Sequence, residues 1–433
     1  MPRDAEKIAL IAMVMQMCYL YLKIHKNKNR NRKWWIRPLY QNRHNRGYFQ
    51  TTFKQIKEND EDLLFNATRL TRLQYDLLLS LIKSKLTKTS IRRPISPECR
   101  MVVTLMYLSQ GASFKFLAES FRMGLSTVRS IIIEVCDVLW KVLSPAYMPE
   151  MNANDWKFMS TQINDRCHIP HCVGIIDGKH IEIKRPPKSG TKYINYKGFY
   201  STVLLAVCNA NYTFTVVDVG TYGSQQNQGK DFTDSTFGKM IFSNNLQLPP
   251  PEKLPNSDKV VPYFFVGDDA FPLRMNLLRP YLGNTLDAAE LIFNDRLSEA
   301  REITENTFGI LVARWRILNK CIEFQPKNAN KVILACTVLH NFIKTTDSLY
   351  NSNYYCPEGF CDMYNYDGTR IDGIWRQEIQ DLISVRRCGN HNREEGAFEV
   401  RRKLAQYLLN EGQQMSLGHS MVMAGGLVEI LYE

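Results

Sequence analysis

The sequence predicts an α/β fold in which a mixed β-sheet flanked by helices follows an N-terminal helical unit. Three observations support this prediction. Apolar residues recur at helical spacing over residues 61–150, short apolar runs of strand length begin near residue 172, and strands then alternate with helices as far as residue 345. A chain of 433 residues, 44% of them hydrophobic, is long enough for two or three packed units.

The composition favours a polyanionic partner and a reducing compartment. Lys and Arg number 55 against 43 Asp and Glu, so the formal net charge is +12, and a basic surface attracts nucleic acid. The 11 cysteines lack the dense, regular spacing of a secreted disulfide framework. The tightest group is too compact for the separated ligand pairs of a structural zinc site, which stays a minor alternative for Cys167, His168, His171 and Cys172.

Residues 1–60 form an apolar and basic N-terminal segment. The run from Ile8 to Leu22 is apolar except for Gln16, and residues 23–33 are crowded with Lys and Arg. Because the run is shorter than the roughly 20 residues of a membrane span, the sequence favours a buried or amphipathic helix with a basic tail and no membrane partner. A short signal anchor is the alternative.

Residues 61–150 are predicted to form a helical, helix-turn-helix-like domain. The tripeptide Ser-Pro-Glu at 96–98 offers an N-cap, a proline at the first helical position and an early acid, so a helix begins there. Helices predicted over 114–121 and 126–140 are joined by a short turn, which is the outline of a helix-turn-helix motif. The outward face of the second helix carries one basic residue, Arg129, as a candidate DNA contact. A solvated helical bundle is the equally supported alternative.

The region 165–345 is predicted to form the sheet domain. Its strands are indicated by four short apolar runs, at 172–176, 201–207, 212–219 and 263–266. Helical patterns follow at 235–242, 297–318 and 395–409. His340 and Asn341, in an apolar helix, are interpreted as a hydrogen-bonded core pair. The region 346–433 is predicted to be irregular apart from its terminal helix.

Two acids stand at the ends of predicted strands. Asp177 follows the first run and Asp268 follows the fourth, so adjacent strands would bring both carboxylates to one end of the sheet. Hard divalent cations such as Mg²⁺ prefer oxygen ligands, and two ions about 4 Å apart activate water and stabilise the leaving oxygen of a phosphate. A third acid on a nearby helix would complete such a site. Aspartates that only cap turns are the alternative on spacing alone.

Four phrases of the sheet region, in their order along the chain, resemble the PIF/Harbinger transposase family and its domesticated nuclease relatives. They are Gly-Ile-Ile-Asp-Gly-Lys-His-Ile at 174–181, Asn-Tyr-Lys-Gly at 195–198, Gly-Asp-Asp-Ala-Phe-Pro-Leu at 267–273 and Glu-Asn-Thr-Phe-Gly-Ile-Leu at 305–311. Residues 93–98 and 121–128 of the helical domain resemble the same family, so the similarity covers roughly residues 60–345.

The resemblance implies a ribonuclease-H-like fold, an Asp-Asp-Glu active site, Mg²⁺ or Mn²⁺ as cofactor, and cleavage of DNA at transposon ends. Asp177, Asp268 and Glu305 match the catalytic and metal-binding positions of the family, and Glu302 is the rival third acid. Because clustered carboxylates repel one another without metal, neutralising one acid is expected to leave the stability of the fold unchanged or raised.

One position departs from the family pattern. Many members carry a further acid in the loop after the third strand, where this sequence has Asn227, a candidate metal ligand with a neutral oxygen. Asp231 and Asp234 are the nearby acids that would substitute for it. The sequence therefore supports two functions: a metal-dependent DNA nuclease derived from a transposase, or a domesticated, catalytically weakened protein that serves as a DNA- or protein-binding scaffold.

Basic side chains near these motifs are candidate DNA contacts, because Lys and Arg position phosphates. They are Lys179, Lys184, Arg185 and Lys188 after the first aspartate, Arg314 after the glutamate, and Arg129. A solvated charged rim is the alternative for each of them. The helix-turn-helix face has a single Arg, and relatives of the family work with a separate Myb-like or similar DNA-binding protein. We therefore expect that this chain acts on DNA in the nucleus together with such a partner protein. A cytoplasmic fraction and a homo-oligomer are left open, and residues 23–33 are a candidate nuclear signal.

Overall fold

The computed structural model describes most of the chain. The described residues are 2–28, 34, 37–89, 94–222, 232–233, 235–243, 245–283, 285–350, 353–365, 369–379, 383–385 and 394–412. Asn227, Asp231 and Asp234 lie outside these ranges. The role expected of Asn227 as a metal ligand therefore stays a prediction from the sequence.

The N-terminal part of the chain is built from helices. Their bounds are α1 Pro2–Lys28, α2 Pro38–Gln41, α3 Arg43–Arg46, a π-helical turn Phe49–Phe53, α4 Lys54–Asn59, α5 Glu61–Thr68, α6 Arg72–Leu86, α7 Pro97–Gln110, α8 Phe114–Ser120, α9 Leu125–Tyr147 and α10 Ala153–Cys167. Ser96 caps α7 as predicted, because its hydroxyl accepts the Cys99 backbone N–H at 3.2 Å. Helices α8 and α9 form the predicted helix-turn-helix outline.

The apolar N-terminal run lies in α1 but is not buried. All large apolar side chains from Leu10 to Leu22 are between 50% and 68% exposed. The prediction of a helix is confirmed, and of the two alternatives given for it, a buried or an amphipathic helix, these exposures contradict the buried one. No helix among the described residues combines the length and the apolar character needed to cross a membrane.

The sheet domain contains one mixed sheet of five strands and a small separate pair. The strands are β1 Cys172–Glu182, β2 Ser201–Cys208, β3 Phe214–Tyr222, β4 Glu252–Lys253, β5 Val260–Val261, β6 Phe264–Val266 and β7 Leu277–Leu278. The order in the main sheet is β3-β2-β1-β6-β7, with β4 pairing β5 separately. Strands β1, β2 and β3 are antiparallel, while β1, β6 and β7 are parallel. All four predicted strands are present, and the first and fourth are neighbours.

Strand β1 is longer than the sequence predicts. The apolar run ends at Ile176, but β1 continues to Glu182, paired with β2 over its whole second half. Apolar periodicity misses this extension because it contains the polar residues Asp177, Lys179 and His180, which are nevertheless buried. His180, for example, lies within 3.0 Å of the Ser201 hydroxyl through its Nδ1 atom. Asp177 therefore lies in the middle of a strand and not at its end.

The sheet is covered on both faces. Side chains of β2 alternate between a main core, which includes Leu204 and Ala206, and a second core, which includes Leu205 and Val207. The main core is shared with the N-terminal helices and with two long helices that follow the sheet, so the helical unit and the sheet domain pack as one body. A mixed sheet between helical layers is the ribonuclease-H-like arrangement that the resemblance implies.

The helices after β3 complete these layers. They are α11 Thr236–Phe242, α12 Ala288–Arg314, a 3-10 turn Arg316–Asn319 and α13 Pro326–Tyr350. The predicted core pair in α13 is confirmed. His340 contacts the Tyr355 hydroxyl and the Tyr212 carbonyl at 3.0 and 2.7 Å. Asn341 accepts the Phe214 N–H at 2.9 Å, which ties α13 to the start of β3.

The chain after α13 is more ordered than the sequence predicts. It forms a hairpin of β8 Met363–Tyr364 and β9 Arg370–Ile371, then α14 Trp375–Glu378, and later α15 Glu395–Tyr407 followed by a π-helical turn Leu408–Gly412. The described residues between 353 and 385 are called the C-terminal segment below. Trp375 of this segment packs against Gly309 of α12, where a Cβ atom would lie 2.3 Å from the indole ring.

Candidate active site

The parallel register of β1 and β6 brings Asp177 beside Asp268. Ile175 lies opposite Val266, so two residues further along each chain the aspartates reach the same level of the sheet. Both neighbours, Ile175 and Val266, belong to the main core, which places the aspartates on the face covered by α12. Both carboxylates are buried. The structure therefore brings the first two predicted acids together.

Backbone donors hold the two carboxylates in place. Asp177 Oδ1 accepts the Gly178 N–H at 2.7 Å, and Asp268 Oδ1 accepts the Ala270 N–H at 2.9 Å. The other oxygen of Asp177 lies 2.8 Å from the ammonium of Lys179, which is buried as well. These contacts orient both side chains before any ligand arrives.

The electrostatics of this pair favour a cation. The pKa of Asp268 is raised from 3.8 to about 6, first because burial disfavours its charged form and second because the negative charge of Asp177 is near. Arg301 opposes this shift from a distance of 3.9 Å to Asp268 Oδ2. Two carboxylates that repel each other offer oxygen atoms, which are the ligands that hard divalent cations prefer. The Asp177 and Asp268 pair thus fits a divalent metal ion in charge and donor chemistry.

Glu305 lies on the helix that covers this pair. Arg301, one turn before it on α12, reaches Asp268, and Phe308, one turn after it, lies with its ring centre 5.9 Å from the Lys179 ammonium. The Glu305 carboxylate itself is 3.2 Å from Nη2 of Arg376. The helix face is therefore directed at the site, while the third acid is held by an arginine.

Glu302, the rival third acid, is turned to a different partner. Its carboxylate accepts a hydrogen bond from the Tyr364 hydroxyl of β8. Across the described ranges, no group of three or more His, Cys, Asp or Glu side chains is arranged to hold a metal ion. The Glu305 carboxylate contacts Arg376 instead of the two aspartates, so these three acids do not form a closed metal centre in this arrangement.

The predicted basic residues fall into different environments. Lys184, Arg185 and Lys188 are exposed on the chain that leaves β1. Lys179 is buried in its ion pair with Asp177. Arg314 lies in the interior, where Nε donates to the Tyr355 carbonyl at 2.7 Å and the guanidinium is 4.0 Å from the Phe360 ring centre. Burial of Arg314 does not favour the expected DNA contact, which stays a prediction.

Arg129 is engaged inside the protein. Its guanidinium lies 4.5 Å from the centre of the Phe114 ring, and its Nη2 is 3.6 Å from Glu323, which follows the 3-10 turn after α12. This residue thus links the helix-turn-helix unit to the sheet domain. Its side chain is still 42% exposed, so the expected DNA contact stays a prediction.

Cys167, Cys172 and His171, which belong to the compact group considered for zinc, each pack against different neighbours. Burial raises the pKa of the Cys167 thiol to about 12 and also raises that of Cys172. The His171 ring stacks on Tyr263 at 4.4 Å, and its Nδ1 contacts the Val261 carbonyl at 3.0 Å. Protonated thiols and an engaged imidazole are poor zinc ligands.

The sequence analysis missed the contribution of the C-terminal segment. Where β6 ends, residues 383–385 continue beside β1 in its place. The Val385 N–H donates to the Gly178 carbonyl at 3.0 Å, and the His180 N–H donates to the Ile383 carbonyl at 2.9 Å. The Lys179 ammonium donates to the Ser384 hydroxyl at 2.7 Å. The segment also supplies Arg376 to Glu305. The phrase at 305–311 contains the side chains that hold this segment, but a sequence does not show what packs against them.

Comparison with known proteins finds a family domain over the region of the candidate site. The family profile described as DDE superfamily endonuclease matches residues 176–341, a range that contains Asp177, Asp268 and Glu305. The chain is 27% identical over 338 residues to "Protein ALP1-like" of Arabidopsis thaliana, covering 75% of this chain and 81% of the relative.

A second set of relatives points the same way. The chain is 24% identical over 306 residues to "Putative nuclease HARBI1" of Homo sapiens, covering 69% of this chain and 82% of the relative. The protein of that name from Xenopus laevis is 21% identical over 306 residues, with the same coverage. No solved structure matches the chain. Residues 176–341 of the chain therefore match the DDE superfamily endonuclease model, and most of the chain is similar to proteins named ALP1-like and putative nuclease HARBI1.

Proposed function

We propose that this protein is a divalent-metal-dependent nuclease that cleaves phosphodiester bonds of DNA. The observation that carries the proposal is the adjacency of Asp177 and Asp268 beneath the α12 face that bears Glu305. The raised pKa of Asp268, which arises from burial and from the charge of Asp177, supports a cation at this position. The same residues match the active-site positions that the family resemblance implies.

The chain's own residues would bind and orient. Asp177, Asp268 and Glu305 would hold the metal ions, which, when bound, activate a water and stabilise the leaving oxygen of the phosphate. Backbone N–H groups of Gly178 and Ala270 keep both aspartates oriented, so these two acids are positioned before substrate arrives. The exposed Lys184, Arg185 and Lys188 would hold the DNA backbone by its phosphates.

Cleavage of duplex DNA in Mg²⁺ or Mn²⁺ tests the proposal. The informative variant is Asp268→Asn, which removes a metal ligand and a buried charge, while its ion-pair partner Arg301 is 35% exposed and stays in contact with water. Cleavage should fall by orders of magnitude. The matched control is Asp258→Asn, because the Asp258 side chain is 95% exposed and is not a proposed metal ligand. Cleavage that persists in EDTA, or that is equal in both variants, would reject the proposal.

A second candidate function is a scaffold that has kept the fold and lost catalysis. It is supported by the cations that pair with the three acids: Lys179 with Asp177, Arg301 with Asp268 and Arg376 with Glu305. A site already neutralised by the protein has less need of metal. This candidate predicts DNA or protein binding that does not change when EDTA is added.

We also propose that a separate DNA-binding protein recruits the chain to DNA in the nucleus. The polar start of α9 supports this, because its Arg129 pairs with Glu323. The neighbouring Lys88 and Arg100 both pair with Glu134. Residues engaged in this way are poorly suited to read bases. A tagged full-length chain found only at membranes would reject the nuclear location, and specific duplex binding by the purified chain alone would remove the need for a partner.

A further inference from the structure

Arg376 of the C-terminal segment is held rigidly beside the candidate active site. Its Nε donates to Asp362 Oδ1 at 2.8 Å and its Nη2 to Asp362 Oδ2 at 2.6 Å. The Asp362 side chain is completely buried, and its Oδ1 also accepts the Gly373 N–H at 2.8 Å. The guanidinium lies 4.4 Å from the centre of the Trp375 ring. A two-point bond to a buried carboxylate fixes both the position and the plane of an arginine.

The segment that carries this arginine is anchored on elements of the site. The Asn306 side-chain oxygen accepts both the Trp375 indole N–H and the Asp362 backbone N–H, each at 2.8 Å. Gly309 leaves the room that the indole ring occupies. Asn306 and Gly309 lie one and four residues after Glu305 on α12. The same helix therefore presents the third acid and positions Arg376 against it.

Three acids contact Arg376, and they are not equivalent. The mostly exposed Asp372 lies 3.6 Å from its Nε. Asp362 is buried and makes both bonds of the pair, whereas Glu305 makes one contact at 3.2 Å through a side chain that is 38% exposed. Glu305 can therefore rotate to a metal ion without leaving the arginine unpaired, because Asp362 remains its counter-ion. After that rotation the Nη2 group that contacted Glu305 faces the site.

We propose that Arg376 contacts the non-bridging oxygens of the DNA phosphate that is cleaved, taking up the phosphate when Glu305 turns away. This rests on the proposed nuclease function and names a further catalytic residue for it. In hydrolysis a water oxygen bonds to phosphorus and the water gives up one proton. The bond from phosphorus to the leaving sugar oxygen breaks, its electron pair stays on that oxygen, and the oxygen takes up a proton, so that the net proton count is unchanged. Negative charge builds on the phosphate oxygens during this exchange, and a preorganised guanidinium stabilises it.

The purely structural alternative is that Arg376 only fastens the C-terminal segment to α12. A fastener would change the melting temperature but neither the salt dependence of DNA binding nor the turnover number of folded protein. Arg376→Lys separates the two roles, because lysine keeps the charge for a phosphate and loses the two-point geometry. The matched control is Arg370→Ala, an arginine of the same segment that is 41% exposed and pairs with Asp372 at 3.0 Å.

The first arm of the test measures duplex binding by the full-length protein in Ca²⁺, at several salt concentrations. We expect Arg376→Ala to weaken binding about tenfold and to reduce the slope of log K against log salt by about one, as loss of one phosphate contact does. Arg376→Lys should keep the slope, and Arg370→Ala should match the parent. If Arg376→Ala unfolds, Arg376→Gln, which still offers Asp362 a donor, makes the same comparison. An unchanged affinity and slope would overturn the inference.

The second arm measures cleavage in Mg²⁺ and metal affinity by calorimetry. Arg376→Ala should lower kcat by about 10² to 10³, the range seen when one preorganised charge donor is removed, with Arg376→Lys in between. Its Mg²⁺ affinity should equal or exceed that of the parent, because Glu305 is released. Full cleavage by Arg376→Ala would overturn this inference alone. A parent that does not cleave, together with an Arg376-dependent salt slope, would reject the nuclease and retain the phosphate contact.

Discussion

Asn306 on α12 and Trp375 in the C-terminal segment are joined by a hydrogen bond of 2.8 Å from the indole N–H to the amide oxygen. The bond is buried, and its partners are 69 residues apart in the chain. It fixes Trp375 over Gly309 and brings the next residue, Arg376, to Glu305. This relationship connects the motif at 305–311 to a region that sequence patterns leave irregular.

Gly309→Ala should loosen the C-terminal segment. The new methyl group would lie 2.3 Å from the Trp375 ring, so we expect a loss of about 1–3 kcal/mol in the free energy of unfolding, as overpacking causes. Urea unfolding measures this loss. Trp375→Ala removes the clash, so the double variant should be more stable than the sum of the two single losses predicts. Strictly additive losses would mean that the two residues do not compete for space.

Asp177→Asn should destabilise the protein, in contrast to the expectation from the sequence that neutralising an acid is harmless. The Asp177 and Lys179 side chains are 6% and 8% exposed, so the variant leaves a buried ammonium without its counter-ion. We expect a loss of about 3–5 kcal/mol in the free energy of unfolding. Adding Lys179→Met should recover most of it. A single variant as stable as the parent would show that this ion pair contributes little.

Asp268 should make the stability of the metal-free protein depend on pH. Its pKa is raised from 3.8 to about 6, so between these values the folded protein keeps a proton that the unfolded chain has lost. The free energy of unfolding should therefore fall as the pH rises from 4 to 6, by roughly 1–3 kcal/mol. Asp268→Asn should remove this fall and be the more stable protein at pH 7. Urea titrations in EDTA at pH 4.5 and 7.5 make the comparison.

Metal affinity should depend on the acids in a defined order. If Asp177 bridges two ions while Asp268 and Glu305 each hold one, then Mn²⁺ affinity should fall most in Asp177→Asn and less in Asp268→Asn. Asn227→Asp should raise it, because a charged ligand replaces a neutral one. Calorimetry on folded variants, with Asp258→Asn as control, measures each value. Equal affinity in all of them would leave the scaffold function in place of the nuclease.

Cys356 should be the most reactive thiol among the described cysteines near neutral pH. A hydrogen bond from Cys361, whose sulfur is 3.4 Å away, and the nearby Lys344 and Arg314 lower its pKa to about 7. Its alkylation by iodoacetamide should accelerate as the pH rises through 7, since the thiolate is the nucleophile. Cys321 is the matched control. Its side chain is exposed, yet partial burial of the thiol raises its pKa to about 11. Mass spectrometry of partly alkylated protein that shows Cys321 modified first would contradict this.

Local patterns in the sequence were sufficient for most elements and for two of the acids. The Ser96 cap, the helix-turn-helix outline, the four strands and the core pair His340 and Asn341 follow from capping chemistry and apolar periodicity. These signals act between residues close in the chain, so they need no knowledge of the fold. The expected adjacency of Asp177 and Asp268 required one further assumption, that their strands pair, and the parallel register of β1 and β6 confirms it.

Only the tertiary structure decided which charges meet at the site. Lys179 binds Ser384 across 205 positions of the chain, and Arg376 reaches Glu305 across 71. No periodicity links such partners, because their contact depends on how α12 and the C-terminal segment pack on the sheet. The same packing buries Arg314 and leaves the apolar side chains of α1 exposed. The sequence by itself determined the strands, the helices and the acids, whereas packing of distant segments determined the partners of those acids.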